Sequence, residues 1–462
     1  MKINILNNKN FYFTLLIILI LILSFVLIKN VDFYILAGAV FFLAFIFFWF
    51  YPQIGLYLIA FLFPFNYWEI VYGDLNIPYV DLLALILFIS WICKYFYLII
   101  IKKEKLSFDK FPGWFLMLLF VISGALSLMN VEREFLGQSF KYLLRPIIFF
   151  YLMYIILPYN ILNDFKKLFN TFKITFILGI GLCAIGIWSI LFPPFIGIRR
   201  AVPISLFGVW PLGTNHNSLA EVLVCLVPIA LILYWYEKNV LLKNIYLIGG
   251  LFMAGVTFLT LSRSGWLAIL VELLVLIVLK YRKTAKRYLT SYLPYLFLLL
   301  MAPALYLMYQ LATSSVIITS NLSRTKLIEI ALHLFREYPL FGAGVGTFVD
   351  YVSQTSWFIV EYGNPLDAHG FIFKTLAETG IAGTISFLGL LIYIIYRLTS
   401  GYFKFSNTLY SWLLLGMVSL GVGDIFFQLF STNYYLARVW LPLGLALCAL
   451  KLCDSKLAKK QI

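Results

Sequence analysis

The sequence predicts an all-α integral membrane protein of about fourteen transmembrane helices with one long, helix-bearing loop outside the bilayer. Three observations carry that prediction. Of 462 residues, 63% are hydrophobic and 12% are charged, where a soluble domain would carry roughly 25% charged residues. Apolar runs of about 20 residues, long enough to cross the hydrocarbon core, recur along the whole length with only short interruptions. Lysine and arginine gather in alternate loops, as the positive-inside bias requires.

Taken in order, the first apolar run, 11–28, follows Lys2 and Lys9 and has the look of a signal sequence. No small-x-small cleavage site follows it, so it is read as a retained span. Further spans are expected near 33–50, 54–71, 79–101, 112–129, 139–157, 172–192, 214–235, 244–261, 264–281, 288–312, 369–396, 407–429 and 434–452. An even count puts both termini on one side. Lys102, Lys103, Lys105 and Lys110, then Lys166 and Lys167, then Lys280, Arg282, Lys283, Lys286 and Arg287, then the tail lysines all fall on the side of Lys2, which is therefore cytoplasmic. The loop at 313–368 faces outward, as do the segments around Arg133, around Arg199 and Arg200, and at Arg263. With no internal repeat and no low-complexity linker, residues 1–462 read as one polytopic domain in which 313–368 is an external subdomain.

Composition also excludes function classes. The formal charge of +15 invites a nucleic-acid reading, but the basic residues lie in one-sided loops, so the lipid bilayer is an expected partner and nucleic acid is not. Cys93, Cys183, Cys225, Cys448 and Cys453 fall in spans or at their cytoplasmic ends without paired spacing, which indicates neither a disulfide framework nor a zinc site. No Asp-x-Asp pair occurs, so a metal-held nucleotide diphosphate loses support. Gly342, Gly344 and Gly346 mimic a dinucleotide loop but follow a proline-terminated helix rather than a strand. They read better as a tight turn that brings backbone close to a neighbour or to a phosphate.

The polar chemistry concentrates on the outer side. Residues 323–338 have helical periodicity, with Leu327, Ile330, Ala331 and Leu334 on one face and Thr325, Glu329, His333 and Arg336 on the other, and Pro339 ends the helix. Arg324 sits in its first turn. Arg263, flanked by Ser262, Ser264 and Gly265, interrupts apolar sequence at a hairpin. The bland reading there is a snorkelling arginine, and the tight surroundings favour a functional one. Arginines bind phosphate oxygens through paired charge-assisted bonds without a metal, and a histidine near its ordinary pKa of about 6.5 can accept a hydroxyl proton. His369 stands at a span mouth; His333 and His216 read more simply as surface or packing residues. Among charges predicted within hydrocarbon are Asp81, Lys141, Arg145, Glu221, Glu272, Lys374, Glu378 and Asp424. Lys374 and Glu378, four apart, can form a structural ion pair. Arg145 can face a polar cavity, and for Glu221, Glu272 and Asp424 packing and site roles stay open.

These residues resemble the O-antigen ligase and O-antigen polymerase superfamily of membrane glycosyltransferases, in blocks spanning 213–383. GTNHNSLAEVLVCLVP from Gly213 carries Asn217 at the family asparagine. TLSRSGWLA from Thr260 carries Arg263. SRTKLIEIALHLFREYPLFGAGVGTF from Ser323 carries Arg324 and the Pro-Leu-x-Gly-x-Gly turn, and DAHGFIFKTLAETGIAG from Asp367 carries His369. Two positions depart from the family pattern: Gly370 stands where asparagine usually follows the histidine, and His216 where proline commonly precedes the Asn217 position.

The resemblance implies a fold of the lipid-linked glycosyltransferase type. It implies transfer of glycan from an undecaprenyl-diphosphate-linked donor to an acceptor hydroxyl at the outer face of a bacterial cytoplasmic membrane, with inversion and with no nucleotide, metal or other cofactor. Arg263 and Arg324 would hold the diphosphate and His369 would act as the base. Arg336, Asn217, Arg199, Arg200 and Arg145 are further candidates for substrate contact. The acceptor would be a second lipid-linked glycan in a polymerase, which the span count and modest loop favour and which would work beside a chain-length regulator. It would be lipid A core in a ligase. A lipid-linked glycan flippase is the rival of another class; it would place polar residues toward the midplane in repeated halves.

Overall fold

The computed structural model describes residues 33–72, 75–104, 109–195, 199–206, 208–281, 315–406 and 408–458. The expected spans near 11–28 and 288–312 lie outside the described residues. The rest divide into two compact units, one of residues 33–56 and 82–104 and one of residues 57–81 and 109–458.

α1 (Phe33–Phe50) lies in the first unit; α2 (Pro52–Leu62), which begins in that unit and ends in the second, follows a break at which the chain bends by 116°. Pro52 explains the break, because its ring removes a donor and clashes with the preceding turn. Lys94 on α3 (Tyr79–Ile100) donates to the Trp49 carbonyl at 2.8 Å, and Ser90 donates to that of Phe45 at 2.9 Å.

In the second unit the expected span at 54–71 is cut short. The helix stops at Leu62, and an antiparallel hairpin of β1 (Glu69–Tyr72) and β2 (Leu75–Pro78) follows, with Ile70 opposite Ile77. Pro64 supplies no backbone donor, and the buried Asn66 amide donates to the Phe63 carbonyl at 3.2 Å, so side chain and proline together end the helical ladder.

α4 (Trp114–Ser127) leads through a 3₁₀ turn to α5 (Leu136–Ile161), which contains π-helical stretches at Leu143–Phe149, around Pro146, and at Leu152–Ile156. α6 (Phe165–Leu191) is capped by Asp164, whose carboxylate accepts the Lys167 N–H at 2.8 Å. α7 (His216–Tyr236), α8 (Val240–Leu259) and α9 (Arg263–Lys280) follow, capped by Asn215, Asn239 and Ser262.

Seven helices among the described residues are long and apolar enough to cross a membrane, or eight if the bent pair counts as one span. The centre of the unit is α7: 83% of its apolar window is buried, against 33% for α8. It packs against α6, α8, α9 and α14 (Leu409–Gln428).

Hydrogen bonds sort the loops of this unit into two ends. At one end Lys451 pairs with Asp109 and donates to the Tyr159 carbonyl, Lys404 pairs with Asp454, and Tyr236 donates to the Leu409 carbonyl. At the other, Asn130 donates to the Gly342 carbonyl and Ser139 to that of Val345, while Ala201 N–H meets the Leu259 carbonyl. The described part of 313–368 lies at this second end. Its helices are α10 (Ser315–Glu337), α11 (Phe348–Gln354) and α12 (Ser356–Tyr362). α10 begins earlier than the expected 323–338 and ends, as expected, before Pro339. Leu327, Ala331 and Leu334 are buried with Phe348, Val352 and Phe358, while His333 and Arg336 stay exposed.

Candidate active site

The glycine turn is a structural joint. α13 (Phe371–Lys404) loses its helical geometry at Gly380, where φ is +63° and ψ −164°, and this frees backbone groups on either side. The turn before α11 fills them. Ala343 N–H donates to the Ala377 carbonyl at 2.8 Å and Gly344 N–H to that of Glu378 at 3.2 Å. In return Ile381 N–H donates to the Pro339 carbonyl at 2.9 Å and Ala382 N–H to that of Leu340 at 3.2 Å. A β-carbon at Gly342 would run into the Glu378 backbone, and one at Gly380 into that of Leu340, so both must be glycine. Gly342 N–H is taken by the Tyr338 carbonyl and Val345 N–H by the Ser127 hydroxyl. Of the two readings the sequence left open, close approach to a neighbour is the one this backbone serves: its amides are spent on protein partners.

The joint seats α10 against α13 and brings Arg324 toward Arg263. Arg263 opens α9 after a tight turn in which Leu261 takes left-handed backbone (φ +57°) and Ser262 caps the helix through the Gly265 N–H at 3.2 Å. The bond from Ala201 N–H to the Leu259 carbonyl holds Arg200 beside the same turn, and Arg200 Nη1 lies 3.4 Å from His216 Nε2. The charges of Arg200, Arg324 and Arg263 all act on His216, and that of Arg263 acts on Arg324. Burial first, then the Arg263 charge, hold the Arg324 guanidinium below the ordinary arginine value. Its Nε is buried and meets no acceptor among the described residues.

His369 completes the cluster just ahead of α13. Burial first, then the charge of Arg324, push its imidazole down to about 4; Asp367 and a hydrogen bond to the backbone of Phe430 pull the other way. The ring is therefore neutral at pH 7 and can take up a proton. Its neighbour Gly370 has φ +102°, and a β-carbon there would stand 2.6 Å from the Leu429 carbonyl oxygen, so the asparagine usual in the resembling family would not fit this backbone.

Thus four separated stretches of chain, carrying Arg200 with His216, Arg263, Arg324 and His369, are linked electrostatically: the three arginines act on His216, Arg263 acts on Arg324, and Arg324 acts on His369. The other sequence candidates fall elsewhere or in looser relation. Asn217 is half-buried on the first turn of α7, and its N–H is capped by Asn215 at 2.9 Å. Arg199 and Arg336 are exposed. Arg145 is held by Asp81 at 2.9 Å, which also accepts from the Tyr154 hydroxyl at 2.6 Å. Lys374 pairs more closely with Asp367, at 2.7 Å, than with Glu378, at 3.7 Å.

Sequence reasoning missed Arg438, Gln428 and Asn433, which surround Glu221. Arg438 carries the same signal as the charges that were singled out, a cation inside an apolar run. Beside His216 a groove of about 370 Å³ is lined by Tyr67, Trp210, Gly213, Thr214, Asn215 and Ser218, aromatic and hydroxyl- or amide-bearing groups without a charge. Among the described residues no group of three or more His, Cys, Asp or Glu side chains is placed to hold a metal ion.

A family model described as O-antigen ligase matches residues 248–388, the segment that carries Arg263, Arg324, the glycine joint and His369. A search of curated proteins finds no match to the chain.

Proposed function

The chain belongs to the O-antigen ligase/polymerase family through its domain at residues 248–388, and we propose that it transfers glycan from an undecaprenyl-diphosphate-linked donor to an acceptor hydroxyl at the outer face of the cytoplasmic membrane. The observation that carries this reading is the buried Arg324 Nε, which meets no acceptor among the described residues and lies among other cations beside a neutral histidine. A buried donor of that kind is costly unless an anion meets it in use, and the planar fork of arginine matches a diphosphate.

In this mechanism Arg263 and Arg324 bind the diphosphate, with Arg200 at the edge of the cluster. The acceptor oxygen attacks the anomeric carbon from the face opposite the diphosphate. As that bond forms, the bond from the anomeric carbon to the diphosphate oxygen breaks, and the diphosphate leaves with the electron pair. The hydroxyl proton passes to His369. The departing charge is stabilised by the arginines and needs no proton, so one base suffices and the configuration inverts. The uncharged groove beside His216 suits a neutral sugar, which aromatic faces, hydroxyls and amides recognise. The modest external loop favours a second lipid-linked glycan as acceptor, the polymerase form of the reaction.

The test is purified protein in detergent, given lipid-linked oligosaccharide extracted from membranes of cells that lack the chain. Wild type should give a ladder of lengthened glycans, and His369→Ala should give none while still binding undecaprenyl diphosphate, since losing a base lowers turnover more than ground-state affinity. A single transfer to lipid A core would move the assignment to ligase. Full turnover by His369→Ala would remove His369 from the mechanism.

A further inference from the structure

One buried carboxylate organises the floor beneath His369. Glu221 lies in the second turn of α7 and is 1% exposed. Its Oε1 accepts from Gln428 Nε2 at 2.7 Å and its Oε2 from Asn433 Nδ2 at 2.8 Å, while Arg438 Nε stands 3.0 Å from Oε2. Gln428 Oε1 in turn accepts the Asn433 N–H at 3.0 Å. These partners are the last residue of α14, the first of a 3₁₀ turn at Asn433–Tyr435, and the second residue of α15 (Ala437–Ala458). A single side chain therefore ties both ends of the 429–432 segment to α7.

That segment is the seat of the base. The Leu429 carbonyl lies against Gly370 and Thr432 donates to Asp367 Oδ2 at 3.4 Å, so residues on both sides of His369 rest on this segment. A general base must be held within hydrogen-bond reach of the proton it takes, so the backbone that seats it matters to turnover. Tethers on both sides leave the Phe430 backbone little freedom to drift.

We infer that Glu221 is a positioning residue for the reaction: through Gln428 and Asn433 it fixes the 429–432 backbone on which Asp367 and Gly370 seat His369. The inference rests on His369 being the base. It assigns Glu221 a task beyond packing, at a remove from both substrates.

The test exploits the polarity of the network, in which Glu221 accepts twice and Gln428 both donates and accepts. Glu221→Gln turns one acceptor into a donor facing a donor. Turnover, measured with extracted lipid-linked oligosaccharide, should fall at least tenfold, while the dissociation constant for undecaprenyl diphosphate stays within twofold. Gln428→Glu alone sets two carboxylates against each other and should also lower turnover. The double variant Glu221→Gln with Gln428→Glu restores one donor and the matching acceptors, and should recover most of the lost turnover. Should Glu221→Gln fail to fold, Asn433→Ser removes one tether with the Arg438 pair left in place and should give the same selective loss.

Wild-type turnover in folded Glu221→Gln, a parallel loss of diphosphate affinity, or a folded double variant no better than the singles would overturn the inference. Full turnover in His369→Ala would instead sink the reading beneath it, so the two failures are told apart.

Discussion

Among the described residues, cations with buried charge occur in two kinds of surroundings, and the contrast supports the proposed site. Lys374 and Arg438 sit among carboxylates, Lys374 with Asp367 and Glu378 and Arg438 with Glu221, so that Arg438 is balanced in charge even though its Nε and Nη1 make no hydrogen bond among the described residues. Arg324 sits among cations: Arg263 acts on it, Arg200 lies nearby on His216, and its buried Nε meets no acceptor among the described residues. A compensated cation holds helices together. An uncompensated one raises the energy of the resting protein by an amount that an anion can release, which is how a site for diphosphate differs from a structural ion pair.

The largest effect that could break this comparison is on stability. Lys374→Met leaves Asp367 and Glu378 without their cation and should destabilise the protein by about 3–5 kcal/mol, the cost of breaking a buried pair. Thermal unfolding in detergent reads it, and an unchanged melting temperature would mean that the pair is not structural. Next comes the joint between the 339–346 turn and α13. Gly342→Ala forces a β-carbon against the Glu378 backbone at φ +74° and should cost on the order of 3 kcal/mol through strain and overpacking. It should appear as faster amide exchange at 339–348 and 377–382, with little change in the remainder of α13.

Exposed arginines sharpen the comparison from the other side. Arg336→Ala and Arg199→Ala, neither buried, should change stability and diphosphate affinity by less than about 0.5 kcal/mol each. A larger loss of affinity in either would extend the site beyond the cluster at Arg263.

The smallest effect is that of mild acid. Neutral imidazole is the basic form and predominates above its pKa, so a ring pushed down to about 4 stays competent as pH falls from 7 to 5.5 and is lost only on passing through about 4. The profile of kcat/KM should be nearly flat over that upper range. Bound diphosphate offsets the Arg324 charge, so the acid limb of kcat should lie higher than that of kcat/KM. A kcat/KM limb near 6.5 would mean that the ring is solvated as an ordinary histidine.

The chain itself announced part of this, for reasons that differ by region. Helices such as α3, α7 and α14 fall within a few residues of the expected spans, because uninterrupted hydrocarbon leaves a backbone no alternative to its own hydrogen bonds. The span at 54–71 was over-extended, since Ile70, Val71 and Ile77 are as apolar in a hairpin as in a helix and the break depends on Pro64 and Asn66. Arg263, Arg324 and His369 stood out as polar residues in apolar or glycine-rich surroundings, and the structure brings them into one cluster. What stayed hidden was pairing at long range. Glu221 meets Gln428 and Arg438 more than two hundred residues away, and Lys374 prefers Asp367 across the Gly370 turn to its helical neighbour Glu378; periodicity holds no trace of either. The glycine turn was visible as a turn, but its use depended on a break in α13 that only the packed backbone reveals.

The central claim is that Arg324 and Arg263 hold a lipid diphosphate, and the most direct measurement is equilibrium binding of undecaprenyl diphosphate to purified variants with melting temperature recorded in parallel. Arg324→Ala and Arg263→Ala should each weaken binding by about 1.5–3 kcal/mol, the scale of a charge-assisted hydrogen bond, with melting unchanged or raised as like charges are separated. Arg324→Lys should not restore wild-type affinity, because a point charge lacks the planar fork. Wild-type affinity in both alanine variants, or an affinity loss that merely tracks a fall in melting temperature, would contradict the claim.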